Sequence, residues 1–285
     1  SASAVNTYLD CPLKFYFSVV EGIREEEEVS ETIESNVFGS ILHKVMEELY
    51  QPFCGKMVTA DLLKAIRKDT PMLTGAVARA FAEIFFKTDI VRPLTGQNFL
   101  IGEMIRKYVE KVLERDAKQT PFRYIESEKK IKCLFPLTDK SNIQLKGFID
   151  RIDEVRDVVR IIDYKSGGGT TQFTFDKADT DRSKAVMQVF MYAWMYNRSV
   201  QLSTAIQPGI YYMRTLFSSS FDPGIYHRTD RFKTEQVLDF ANYRTDFEDS
   251  LRNCLDEIFD TETPFVQTPN GKACMYCPFK DICGK

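Results

Sequence analysis

"GFIDRIDEVRDVVRIIDYKSGG", residues 147–168, decides the fold of this chain. It reads as two strands joined at Arg156-Asp157. Each strand carries an aspartate, Asp150 and Asp163, although carboxylates are depleted in strands and repel when they face each other. With Val155 opposite Val158 across the turn, antiparallel pairing puts Asp150 directly opposite Asp163, their Cβ atoms roughly 5 Å apart. Side-chain alternation adds Phe148, Ile152, Ile161 and Lys165 to that face. Arg151, Asp153, Arg160 and Tyr164 take the other face, where Asp153 and Arg160 form an ordinary compensated pair. A slip of one residue would undo this register.

Two carboxylates so close repel unless a cation lies between them. Mg²⁺ suits such a site, because it takes carboxylate oxygens, waters and substrate phosphate. It polarises a phosphoryl oxygen and helps to generate hydroxide from water. A lysine two residues from the second aspartate stabilises developing negative charge. Asp, then Asp-X-Lys, is thus a minimal kit for phosphodiester hydrolysis. The alternative is a solvated, charged hairpin.

The rest of the chain sets limits on this reading. Its 285 residues are 44% hydrophobic and 28% charged, which suits a globular fold with a sizeable core. The net charge of −3 excludes a general polycation, so nucleic acid would need a local basic groove. No apolar run approaches the ~20 residues that span a bilayer, and no signal peptide opens the sequence. The chain starts with Ser rather than Met, and a fragment of a longer protein is the expectation. An odd number of cysteines, seven, argues against a disulfide scaffold and for a reducing cytoplasm.

Residues 3–20 read as helix broken at Cys11-Pro12, with Ser3 as a cap, and the acidic run 24–31 as a solvated loop or helix start. Val37, Ile41, Val45 and Leu49 recur every four residues in a helix over 32–53. Three or so helices follow in 59–118, a block with no chemistry that covers a face of the core. From Tyr124 the period changes to two, giving consecutive strands up to Lys165. A helix at 184–199, a strand at 206–215, a further short strand at 223–229 and one long helix at 234–260 complete the layout before a cysteine-rich tail.

His43 sits on the 32–53 helix, with Gly39 one turn before it marking a close approach of another backbone. Glu47, one turn after, is placed to orient His43 or join the site. Gln188 and Tyr192 share a face of the 184–199 helix; an amide among apolar residues needs a partner. The loop 165–171, "KSGGGTT", offers backbone N–H groups to phosphates. His227 has no evident partner. Cys274, Cys277 and Cys283 have C-x₂-C-x₅-C spacing and lack a fourth ligand nearby. Cys11, also in a Cys-Pro step, is the candidate. Zinc and an iron–sulfur cluster both accept four thiolates, and one-plus-three spacing favours the cluster. Cys54, Cys133 and Cys254 read as buried apolar residues.

"YLDCPLKFYF", "FGSILHKVMEEL", "GFIDRID", "IIDYKSGG", "QVFMYAWMY" and "CMYCPFKDIC" occur in this order over almost the whole chain. Together they resemble the PD-(D/E)XK nuclease superfamily, in particular RecB-like nuclease domains and most closely those of AddB-type subunits. The resemblance implies an α/β (α+β) restriction-endonuclease-like core. A mixed central sheet would be flanked by helices, with an N-terminal helical insertion and a Cys-rich tail. One domain over 1–285 is expected, with the insertion at 59–118, the catalytic core at 124–215 and a staple at 264–285 packing with Cys11.

The resemblance further implies that His43, Asp150, Asp163 and the Tyr164 carbonyl bind Mg²⁺ or Mn²⁺ and that Lys165 is catalytic. Gln188 and Tyr192 match a Q-x-x-x-Y motif that supports the site and DNA. Cys11, Cys274, Cys277 and Cys283 match the pattern that carries a 4Fe-4S cluster, with zinc as a replacement. The implied activity is that of a DNA exonuclease in double-strand break repair and recombination. Its implied partners are DNA and a helicase subunit or helicase region, although the chain has no helicase motif. A CRISPR-adaptation-type nuclease, a DNA-end-binding module with a vestigial site and a zinc-stapled structural domain are the rivals.

Overall fold

The hairpin forms in the expected register. Val155 pairs with Val158, and the ladder runs back to Arg151 opposite Ile162. Arg156 and Asp157 both have positive φ, 48° and 63°, as a two-residue turn of type I′ requires. Beyond Arg151 the two strands part, and Asp150 takes the Tyr164 N–H with its own side chain, Oδ2 accepting at 2.8 Å.

The computed structural model describes residues 1–23, 33–175, 183–230 and 233–284. The acidic run at 24–31 lies outside them. Helix α1 (Ala2–Asp10) is capped by Ser1, not Ser3: the Ser1 hydroxyl accepts the Ala4 N–H at 3.3 Å. Helix α2 (Pro12–Phe15) starts on the proline, with Cys11 Sγ accepting the Lys14 N–H, and passes into a π-helical turn, Tyr16–Val20. Helix α3 (Ser35–Tyr50) carries His43. After β1 (Met57–Val58), the helical block comprises α4 (Ala60–Lys68), α5 (Thr70–Ile84) and α6 (Gly96–Ala117). Pro71 lies in the first turn of α5, where its missing N–H costs nothing.

The strands β2 (Phe122–Pro136), β3 (Asn142–Val155) and β4 (Val158–Lys165) follow, then the short β5 (Gln172–Phe173). Helix α7 (Lys184–Val200) returns the chain to β6 (Ile206–Tyr212). The main sheet has the order β1-β2-β3-β4-β6, and β6 joins β4 in parallel. A parallel pair needs a crossover, and α7 supplies it. The strands β7 (Tyr226–Arg228) and β8 (Thr234–Gln236) join β5 in a second, three-stranded sheet. The expected long helix at 234–260 is therefore shorter, α8 (Arg244–Phe259). Asp239 explains its late start, because Oδ1 accepts the N–H groups of Ile206 and Ala241 and fixes a turn there. Helix α9 (Gly271–Cys274) closes the described chain.

Two apolar cores lie on opposite faces of the main sheet. Helices α1, α7 and α8 bury Tyr8, Val189, Trp194 and Leu251 against Ile149, Ile152 and Ile161. Helices α3 to α6 bury Ile41, Val45, Phe81 and Val109 against Ile162, Tyr164 and Tyr211. Each fully buried aliphatic side chain among these contributes about 1.5–3 kcal/mol. Ile149 and Ile152 join the same core although strict alternation would separate them. The strand twists out of phase at Asp150.

The face expected to hold an ordinary ion pair is a buried charge network instead. Arg151 Nη1 donates to Asp116 Oδ2 at 2.5 Å and to the Tyr164 hydroxyl at 3.1 Å, and Nε donates to Asp153 at 2.7 Å. Arg160 Nε donates to Asp153 at 2.5 Å. Asp116 also accepts the hydroxyls of Tyr50 and Tyr211. Asp116 comes from α6, so the helical block does more than cover the sheet. Unpaired buried charge is costly, and every charge here has partners.

Candidate active site

Asp163 is 1% exposed at the end of β4, where the sheet opens. Burial, then the Asp150 charge, pushes its pKa up to about 7, against the pull of Lys165. Its Oδ1 accepts from Lys165 Nζ and from Gln188 Nε2, both at 3.1 Å. Gln188 Oε1 in turn accepts from Lys165 Nζ at 3.0 Å, and Gln188 Nε2 donates to the Tyr192 hydroxyl at 3.0 Å. The Q-x-x-x-Y pair thus finds its partners: one helical turn of α7 locks the aspartate and the lysine together. Tyr192 reaches this place because residue 147 is glycine. A Cβ there would lie 2.4 Å from Tyr192 Cε1.

Asp163 Oδ2 is buried and makes no aligned hydrogen bond, although Lys165 Nζ lies 2.9 Å away. A buried carboxylate oxygen left in this state is suited to a cation. Lys165 stays charged. Burial disfavours its ammonium, but the Asp163 charge and hydrogen bond overrule burial and raise its pKa.

His43 reaches the site from α3. Its Nε2 and the Tyr164 carbonyl oxygen are 2.9 Å apart. Its Nδ1 lies 3.6 Å from Asp150 Oδ2 and 3.7 Å from Glu128 Oε1. Burial opposes the imidazolium, yet Asp150, Glu128 and Asp163 raise its pKa to about 9. Asp150 itself is raised by burial and by Glu128, with His43 and the Tyr164 N–H working the other way.

Sequence reasoning misses Glu128. It lies in "ESEKK", where alternating charge on a strand gives no sign of which acid turns inward. It takes φ of +45°, a left-handed conformation unusual for glutamate, and such strain collects at functional sites. Ligand atoms of His43, Glu128 and Asp150 all lie within 4.8 Å of one another, close enough to hold one ion. Asp163 stands beside this group, tied to Lys165 and Gln188.

Other expectations fail. Glu47 does not orient His43 but pairs with Lys44 at 3.4 Å. Gly39 makes room for the Ser166 side chain, 3.2 Å from where a Cβ would be, and not for backbone. His227 packs among the rings of Phe173, Phe175 and Tyr243.

The two chain ends meet far along the sequence from this site. The Leu13 N–H donates to the Val266 carbonyl at 3.1 Å, and Phe265 packs on Phe15 and Tyr16. Cys11, Cys274, Cys277 and Cys283 line one small hollow, together with Lys14, Gln267 and Lys280. Burial and then the charges of Cys277, Cys11 and Cys274 raise the Cys283 pKa. Gln267 Nε2 is buried there without an acceptor, a donor that thiolate sulfur would satisfy. Cys254 is buried in one core, and Cys133 and Cys54 pack against the two cores.

No curated protein matches this chain. Among solved structures, "Crystal structure of SSO0001" is 15% identical and aligns over 95% of this chain and 94% of that one, with a TM-score of 0.27. The family model of the PD-(D/E)XK nuclease superfamily matches residues 1–284. Its restriction-endonuclease-like core accords with the mixed sheet flanked by helices, and the chain belongs to the PD-(D/E)XK nuclease superfamily.

Proposed function

We propose that the chain is a Mg²⁺- or Mn²⁺-dependent DNA exonuclease domain. One observation carries the reading: Lys165 and Gln188 converge on Asp163 beside the His43, Glu128 and Asp150 group. Asp150, Asp163, Glu128, His43 and the Tyr164 carbonyl would hold the cation. When bound, a divalent cation polarises the scissile phosphate and lowers the pKa of water. The remaining work falls to the protein. Lys165 presents an ammonium to the negative charge that develops on the phosphoryl oxygens. Gln188 fixes both Asp163 and Lys165, and Tyr192 fixes Gln188. The His43 Nε2–H donates to the Tyr164 carbonyl, which holds the ring with Nδ1 toward Asp150 and Glu128.

The hollow at the chain ends is read as a 4Fe-4S site, for which zinc can substitute. Four thiolates suit either metal. Gln267 Nε2, buried without an acceptor, would donate to sulfur, and Lys14 and Lys280 would offset the negative charge. The context proposed is double-strand break processing beside an ATP-driven helicase in the cytoplasm, as in the AddB-type domains that the chain resembles. Among the described residues no helix is long and apolar enough to cross a membrane.

Labelled DNA tests the reading. Degradation of 5′- or 3′-labelled DNA that requires Mg²⁺ or Mn²⁺ supports it, and intact DNA under both metals contradicts it. Anaerobic purification should give a brown protein absorbing near ~400 nm; zinc alone on elemental analysis would reverse the cluster assignment.

A further inference from the structure

Lys132 on β2 and Lys146 on β3 are directly opposite each other. Like charges in that position destabilise a sheet. Their neighbour Lys129 is neutralised by Glu126. Lys130, Lys132 and Lys146 are exposed and have no ion pair among the described residues. The next rung on the same face toward the site pairs Lys130 with Phe148. Phe148 is 53% exposed, with Lys130 Nζ over its ring at 5.9 Å.

This strip points at the cation site. Phe148 is two residues from Asp150, and Lys130 is two residues from Glu128. At about 3.4 Å per residue, Phe148 stands about 7 Å along the strand from Asp150, and Lys146 about 14 Å. An uncompensated lysine pair calls for an anion between its members. A half-exposed ring backed by an ammonium calls for a flat, electron-rich partner. Single-stranded nucleic acid offers both at once. A duplex does not, because its bases are already stacked and paired.

We propose that the outer face of the β2–β3 hairpin carries the single-stranded end of a DNA substrate to the cation site. Phe148 stacks on a base, and Lys132 and Lys146 straddle a phosphate. The proposal rests on the nuclease reading for its direction of travel, but binding to the strip is measured independently of cleavage.

The experiment is a fluorescence-anisotropy titration of labelled oligothymidylate in EDTA, with a blunt duplex in parallel. The variants are Phe148→Ala and the double variant Lys132→Glu/Lys146→Glu, each first checked for an unaltered melting temperature. The double variant is expected to weaken single-strand binding at least tenfold. Its log–log salt slope should become shallower by about 0.7 for each phosphate that is no longer neutralised. Phe148→Ala is expected to weaken single-strand binding about tenfold and duplex binding far less.

Unchanged single-strand affinity in both variants overturns the proposal. So does displacement of the oligonucleotide by polyglutamate as readily as by unlabelled DNA, since the strip would then be a plain anion surface. If wild-type protein shows the expected binding but degrades no DNA with Mg²⁺ or Mn²⁺, the nuclease reading falls and the binding face stands.

Discussion

Arg151 and Asp116 form an ion pair 2.5 Å long in which neither side chain is exposed. Arg151 belongs to the hairpin that holds the candidate site, and Asp116 to a helix 35 residues earlier. The same guanidinium donates to the hydroxyl of Tyr164, whose backbone N–H binds Asp150 and whose carbonyl meets His43. A structural network and the candidate active site thus share one residue.

Removing one member of such a pair leaves a buried charge without compensation. Asp116→Ala is expected to cost about 3–5 kcal/mol of stability, read as a lower midpoint in urea unfolding. A loss below about 1 kcal/mol would mean that Arg151 finds other partners.

Glu128 supplies a carboxylate to the group within 4.8 Å. Glu128→Gln keeps the shape and removes the charge. Binding of Mn²⁺, followed by calorimetry, is expected to weaken at least about tenfold, the scale on which partners of a metal site act. Equal affinity would exclude Glu128 from the site.

Protons compete with the cation here. Without metal, Asp163 titrates at about 7 and His43 at about 9. Below those values both hold a proton, and each must give it up to serve as a ligand. Apparent Mn²⁺ affinity is therefore expected to rise between pH 6 and 9, with net proton release on binding. The release is measured as a dependence of the calorimetric heat on buffer ionisation enthalpy. A pH-independent affinity would show that neither group is displaced.

Much of this arrangement is legible in local signals. Opposed valines and two turn residues fix the hairpin register from Val155–Val158 back to Arg151–Ile162, which brings Asp150 and Asp163 to the end of the ladder but does not pair them across it. Gln188 stands out as a polar residue on an otherwise apolar helix. Glu128 does not, since its inward turn depends on a left-handed backbone that nothing in "ESEKK" announces. The Asp116–Arg151 pair is hidden for another reason. It joins two distant segments, and a charged residue on a helix reads as solvated until the partner sheet is known. The β8 strand is hidden in a helix-like run because the turn at Asp239 depends on Ile206, far away in sequence.

The most direct test compares Asp163→Ala and Lys165→Ala with wild-type protein in Mg²⁺-dependent degradation of end-labelled DNA, with the melting temperature as a control for folding. Loss of one charge-stabilising group costs about 10²–10³ in rate. Each variant is therefore expected to fall by at least that factor while remaining folded. Degradation at the wild-type rate in either folded variant would contradict the assignment of this site.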